Sequence, residues 1–229
     1  MLDLTLTFDN GPEPAVTPHV LDVLGHRGIR ATFFVIGRKL ATGEGRRLAE
    51  RAAAEGHWLG NHTWSHSVPL GLSGADAAEA EIGRTQETLG GLSHPDRFFR
   101  PMGQGGNLDR RLLSPAALAY LRKGGYTLVL WSALPRDWED PDGWVERALA
   151  ECGTRPWPLV ALHDLPGGAM RHLERFLDAV ADMGGRFRQD FPPDCTPILR
   201  GDVIGPLGQY VAAAEASLGG RPAGDHIAG

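Results

Sequence analysis

The sequence predicts an α/β fold with a parallel sheet, and three observations carry that prediction. Short apolar strands alternate with amphipathic helices along the chain, each pair taking about thirty residues, the length of a βαβ unit. Segments such as "LDLTLTF", "ATFFVIG" and "WPLVALH" are continuously apolar or alternating, as strands covered by helices must be. About seven such units precede Pro192, after which Pro, Gly and Ala accumulate. These units suit an open doubly wound sheet or an incomplete barrel, and periodicity does not choose between them. No GxGxxG follows the first strand, which weakens a dinucleotide-binding reading.

In order, "LDLTLTF" is the first strand. In "TPHVLDVLGHRG" Thr17 is the expected N-cap, Pro18 the first helical residue and Gly28 the stop, with Val20, Leu21, Val23 and Leu24 as the apolar face. "ATFFVIG" is a buried second strand, "RRLAERAAAEG" a helix ending at Gly56, and "HWLGNH" a short third strand. Ser73 is the expected cap of a helix through "ADAAEAEIGRTQETLG", and "RFFRP" is the fourth strand. "RRLLSPAALAYLRKGG" reads as helical, but Pro115 must begin a new helix or kink this one. "YTLVLW" and "WPLVALH" are the fifth and sixth strands, separated by a helix in "PDGWVERALAECG". A long amphipathic helix, "GAMRHLERFLDAVADMGG", leads to a weak seventh strand, "RFRQDF". One catalytic domain over residues 1–200 is expected, with 201–229 as a C-terminal extension whose end, 219–229, reads as a frayed tail.

Hydrophobic residues make up 42% and charged residues 22% of the 229, enough to bury a full core without a metal or disulfide for folding. The net charge of −5 is spread along the chain with no basic run, which argues against a nucleic-acid partner. Cys152 and Cys195 lie far apart without metal-like spacing and read as free thiols in a reducing compartment. No apolar run reaches bilayer-spanning length, so no membrane role is expected. With Met1 as the natural start, no signal-peptide pattern follows it, and the expected location is cytoplasmic. The oligomeric state is left open.

Chemistry-bearing residues collect at the C-terminal ends of the strands: Asp9 and Asn10; His62 and His66; Arg100; Asp137 and Trp138; Leu162, His163 and Asp164. In parallel α/β folds those ends share one ligand-binding face. In "HTWSH" two His at i and i+4 on a helical turn can grip one metal ion, although Thr63 stands where a zincin has Glu. This set suits hydrolysis: a metal on the two His, Asp9 as general base, His163 as general acid, and backbone N–H groups of "MGQGG" as oxyanion donors. No GxSxG marks a serine nucleophile. Asp164 is expected to be a structural hydrogen-bonding residue.

From Leu4 to Phe191 these motifs, in this order, resemble the polysaccharide deacetylases, the NodB-homology domain of carbohydrate esterase family 4. The resemblance implies a distorted (β/α) barrel. It matches the first motif, T-F-D-D-G, to Thr7-Phe8-Asp9-Asn10-Gly11, giving Asp9 the base role and putting Asn10 where the family has a metal-binding Asp. It gives His62 and His66 the roles of metal ligands, and Arg100 that of partner to the base. Met102-Gly103 replaces the usual Pro-Tyr, so Gly103 keeps the oxyanion N–H while an aromatic wall is lost. Asp137-Trp138 matches the fourth motif, with Leu134 where members often carry an acid that tunes the general acid. Leu162-His163 matches the fifth, implying an acetyl-methyl pocket at Leu162 and the general acid at His163.

The implied cofactor is a divalent metal, zinc above all, bound weakly or not at all because Asn10 brings no charge. The implied substrate is an N-acetylated sugar or oligosaccharide. Two other readings stand beside it: hydrolysis of a small cyclic amide, imide or ureide, with or without metal, and a non-catalytic carbohydrate-binding homologue. Trp64, Trp131, Trp138 and Trp144 are the candidate sugar-stacking residues.

Overall fold

In a computed structural model of the chain, which describes residues 2–213, strand β1 (Asp3–Asp9) separates the two sides of the fold. Leu4, Leu6 and Phe8 are fully buried against helices, sharing a core with Val20, Leu21, Phe176 and Leu177. Thr7 and Asp9, on the alternate face, turn toward the barrel interior, where both meet Arg100. This is the period-2 rule of a strand, with one face packed and the other chemical.

After β1 come α1 (Thr17–His26), β2 (Thr32–Val35), α2 (Gly37–Leu40), α3 (Gly43–Ala54) and β3 (Trp58–Asn61). A π-helical stretch, Ala78–Gly83, runs into α4 (Arg84–Leu89), followed by β4 (Phe98–Phe99), α5 (Pro115–Lys123) and β5 (Thr127–Leu128). The chain continues through α6 (Trp144–Cys152), β6 (Leu159–His163), α7 (Leu173–Asp182), β7 (Arg186–Arg188), β8 (Ile198–Leu199) and β9 (Asp202–Val203). Strands run in the order β6-β1-β2-β3-β4-β5, all parallel. The segment after β5 closes the ring, since Ala133 bridges Val160 of β6 and Ala161 N–H donates to Ala133 O at 3.0 Å. Strand β7 pairs with the first half of β1, at Asp3–Thr5, and β2 with the second half, at Thr7–Asp9. The result is a distorted barrel rather than an open sheet.

Several local expectations change. Thr17 does not cap α1: its hydroxyl accepts Glu13 N–H and donates to Asp164, leaving Val16 at the cap with no side-chain bond. Ser73 likewise gives its hydroxyl to Pro69 O at 3.0 Å, and the segment it was expected to cap opens as a π turn. Pro115 begins a new helix, with Ser114 as its cap through Ala117 N–H at 3.1 Å. Strands β8 and β9 form an antiparallel hairpin on β5 that the sequence reading missed. The expected domain boundary at residue 200 falls inside that hairpin. The chain beyond it stays attached, because Leu113 N–H donates to Tyr210 O at 3.0 Å. The tail at 219–229 lies outside the described residues.

Cys152 and Cys195 are both buried and free, and burial pushes their thiols up to about 12 and about 11, which makes them inert. No helix of the described residues is long and apolar enough to cross a membrane.

Gly60 in β3 is tightly packed, since a Cβ there would lie 2.6 Å from the Phe34 ring. Gly60→Ala is therefore expected to destabilise the protein by about 1–3 kcal/mol, read as a lower urea midpoint. An unchanged midpoint would contradict this packing.

Candidate active site

The C-terminal ends of the strands surround one cavity of about 260 Å³, and Asp9, Asn10, His62, His66, Gly103, Trp138 and His163 all line it. Arg100 and Asp137 stand just behind that wall, 0% and 1% exposed. Each is bonded to a lining residue.

Arg100 leaves the end of β4 and enters the barrel interior. Its Nη1 donates to Asp9 Oδ1 and to Thr7 Oγ1, both at 2.7 Å. Its Nε and Nη2 donate to the carbonyls of Val129 and Leu130, at 3.2 and 3.1 Å. The guanidinium also lies 4.1 Å from the Phe34 ring centroid. Burial pulls Asp9 toward its neutral acid, but the Arg100 guanidinium, with His163, outweighs it and holds the carboxyl below the ordinary carboxylate range. Asp9 is thus an ionised acceptor, one oxygen tied to Arg100 and the other 3.9 Å from His62 Nε2.

His62 Nδ1 lies 2.8 Å from Arg100 O. A carbonyl only accepts, so Nδ1 carries the proton and Nε2 presents its lone pair to the cavity. Ring centroids of His62 and His66 are 4.7 Å apart. Burial lowers the basicity of both, His66 down to about 3 with His62 adding to the effect, so both imidazoles are neutral. The two do not sit on a helical turn as expected. Thr63 and His66 adopt φ of 65° and 51°, so "HTWSH" is an irregular loop leaving β3.

Asn10, at φ 74°, brings its side chain to the same cavity. Its Oδ1 is buried and has no hydrogen-bond partner among the described residues. Among those residues no three His, Cys, Asp or Glu side chains converge as a metal cluster. The available donor set is two neutral imidazoles and one amide oxygen. An orphaned buried acceptor beside two lone pairs fits a divalent cation, though without the charge a carboxylate ligand would add.

His163 closes β6 directly opposite Asp9, its register partner on β1. Asp137 holds it twice, accepting from the ring at Nδ1 at 2.8 Å and from the backbone N–H at 2.9 Å. Burial disfavours the charged ring, but the Asp137 carboxylate, helped by Asp9 and Asp164, prevails and raises the imidazole above its ordinary value. Trp138 meets the ring edge-on at 4.6 Å. Leu134 lines the cavity, and Asp137 is the carboxylate bonded to His163.

Leu162 does not line the cavity. It pairs with Phe8 and shares that residue's helix-facing core, and Leu165 takes the place in the cavity wall. Trp144 is fully buried in the core and bonded to Ala169 O, while Trp64 stacks under Arg84. The aromatic wall expected to be lost at Gly103 comes from elsewhere: a Cβ at 103 would lie 2.8 Å from Trp131, whose ring fills that space and lines the cavity. Gly103 N–H makes no hydrogen bond among the described residues and is free to donate. Asp164 is fully buried off the cavity; burial pushes its carboxyl up to about 7, and it binds Thr17.

Residues 3–128 match the family model for polysaccharide deacetylase. A chitooligosaccharide deacetylase of Rhizobium leguminosarum bv. trifolii is 37% identical over 164 residues, covering 71% of this chain and 71% of the relative. A solved peptidoglycan N-acetylglucosamine deacetylase, in complex with an N-hydroxybenzamide, aligns with a TM-score of 0.70 at 28% identity over 82% of this chain and 85% of its own. A family 4 acetyl xylan esterase from Clostridium thermocellum, in complex with a cobalt ion, aligns with a TM-score of 0.66 at 27% identity over 82% and 87%. With this fold and these motifs, the chain belongs to the polysaccharide deacetylase family.

Proposed function

We propose that this protein hydrolyses the N-acetyl group of a sugar residue, releasing acetate and a free amine, with His62, His66 and Asn10 holding a divalent metal. The observation that carries the reading is the opposed pair on β1 and β6. Asp9, an ionised acceptor fixed by Arg100, faces His163, a ring fixed by Asp137 and biased toward its cation, across registered strands. A base and an acid held side by side at one cavity are what amide hydrolysis needs. The relatives deacetylate chitooligosaccharides and peptidoglycan N-acetylglucosamine, which supports an acetamido sugar over a cyclic imide.

Asp9 takes a proton from water as its oxygen attacks the acetyl carbonyl carbon. The C=O bond becomes a tetrahedral oxyanion, to which Gly103 N–H donates. His163 Nε2 gives its proton to the amide nitrogen, the C–N bond breaks, and acetate leaves with the amine. A divalent metal bound at the three donors supplies Lewis-acid polarisation of the carbonyl and a lowered water pKa. Asn10 in place of an acid makes that binding weaker than a carboxylate would. Trp131 and Trp138 offer flat apolar faces to the sugar.

Asp9→Asn is expected to lower acetate release from N-acetylated chitooligosaccharides by about 10²–10⁴-fold while sugar binding persists; full turnover in the variant would sink the assignment. Asp137→Asn removes the carboxylate that raises His163. The acid form is needed for turnover, so the alkaline limb of kcat should move to lower pH, together with the His163 midpoint in an NMR titration. An unmoved limb would remove His163 as the acid.

A further inference from the structure

The loop bearing the two imidazoles is held from outside. Its backbone at Thr63 and His66 occupies the left-handed region, φ 65° and 51°, which residues with a Cβ rarely adopt and which persists only where neighbours enforce it. The enforcing contacts come from two helical segments: α2, where Gly37 and Arg38 N–H donate to Thr63 O and Trp64 O at 2.9 and 3.1 Å, and the segment that carries Glu81. Ser65 N–H donates to Glu81 Oε2 at 2.8 Å, and the Ser65 hydroxyl donates to Glu81 Oε1 at 2.7 Å. Arg84 lies 3.6 Å over the Trp64 ring. Asn61 spans the same junction, with Nδ2 donating to Ile82 O at 2.9 Å and Oδ1 accepting Thr63 N–H at 3.0 Å.

Glu81 lies inside the π-helical stretch Ala78–Gly83, where Arg84 N–H reaches back five residues to Glu79 O. A π turn carries one extra residue. Ala78, Ile82, Thr85 and Leu89 are buried, while the Glu81 carboxylate reaches the loop.

We propose that Glu81 is a positioning residue for the metal-ligand loop: its carboxylate fixes Ser65 between His62 and His66 and so sets the separation of the two imidazoles. This rests on the metal-assisted reading above. Glu81 touches neither ligand ring. It acts by keeping the loop in a conformation that the loop does not favour alone, so ligand geometry is paid for before a metal arrives.

The test is a cobalt(II) titration of the full chain, followed by visible absorption, with amide hydrogen exchange measured on the metal-free proteins. Glu81→Ala is expected to bind cobalt about 10–100-fold more weakly. Its Thr63 and His66 amides should exchange at least about tenfold faster. Glu81→Gln, which keeps an acceptor for Ser65 N–H, should recover most of the loss. If Glu81→Ala does not fold, Ser65→Ala removes the hydroxyl's bonds to Glu81 and Ser67 but keeps the Ser65 N–H bond to Glu81; it should weaken cobalt about fivefold, and Ser67→Ala, which leaves both Glu81 bonds, should not. Wild-type cobalt affinity in a folded Glu81→Ala, or in Ser65→Ala where that variant stands in, overturns the proposal, as do unchanged amides. A wild-type chain that takes up no cobalt defeats the metal reading instead, and faster Thr63 and His66 exchange in Glu81→Ala then still upholds Glu81 as the loop's anchor.

Discussion

The buried Arg100–Asp9 pair is the interaction on which the site depends. A guanidinium that is 0% exposed is stable only if its donors are met, and here partners come from β1 and from the chain leaving β5. Removing one member of such a pair strands the other and costs about 3–5 kcal/mol. Arg100 has a further role through its backbone, since its carbonyl accepts from His62 and so selects the tautomer that turns Nε2 toward the cavity. One residue therefore fixes the Asp9 carboxylate and one imidazole at once. Closure of the barrel at Ala133 and Val160 keeps the β5 carbonyls in reach of the same guanidinium.

Charge is distributed unevenly across the cavity. On one side Asp9 is neutralised by Arg100, and two uncharged imidazoles and the Asn10 amide add nothing. On the other side a single carboxylate, Asp137, serves His163 through two bonds. With Leu134 apolar, Asp137 is the one carboxylate hydrogen-bonded to His163 among the described residues. The cavity thus combines a neutral donor set, two imidazoles and an amide, with an imidazole, His163, whose proton affinity is raised chiefly by Asp137. Trp131 and the glycine at 103 show the same economy in packing, because the ring can lie against the loop only where no Cβ intrudes.

Much of this was legible in the sequence. Strand β1 announces itself by alternation, and the convergence of Asp9, His62, His66, Arg100, Asp137 and His163 follows from their positions at the ends of parallel strands. The same alternation could have corrected Leu162: one residue before His163, it must face the opposite side of the strand, toward Phe8 and the helices. Other features were hidden for physical reasons. The loop "HTWSH" meets partners outside the motif, Gly37 and Arg38 before it and Glu81 and Arg84 after it. Thr17 and Ser73 carry the right side chains for helix caps, but their hydroxyls are taken by nearer or stronger partners. Strands β8 and β9 have two residues each, too short for any periodicity to register.

The most direct test of the account is anomalous X-ray scattering at the zinc edge from zinc-loaded crystals. The account predicts one zinc peak in the cavity, within bonding distance of His62 Nε2, the His66 ring and Asn10 Oδ1. No peak there, or a zinc bound away from Asn10, would contradict the neutral three-donor site on which the proposed mechanism stands.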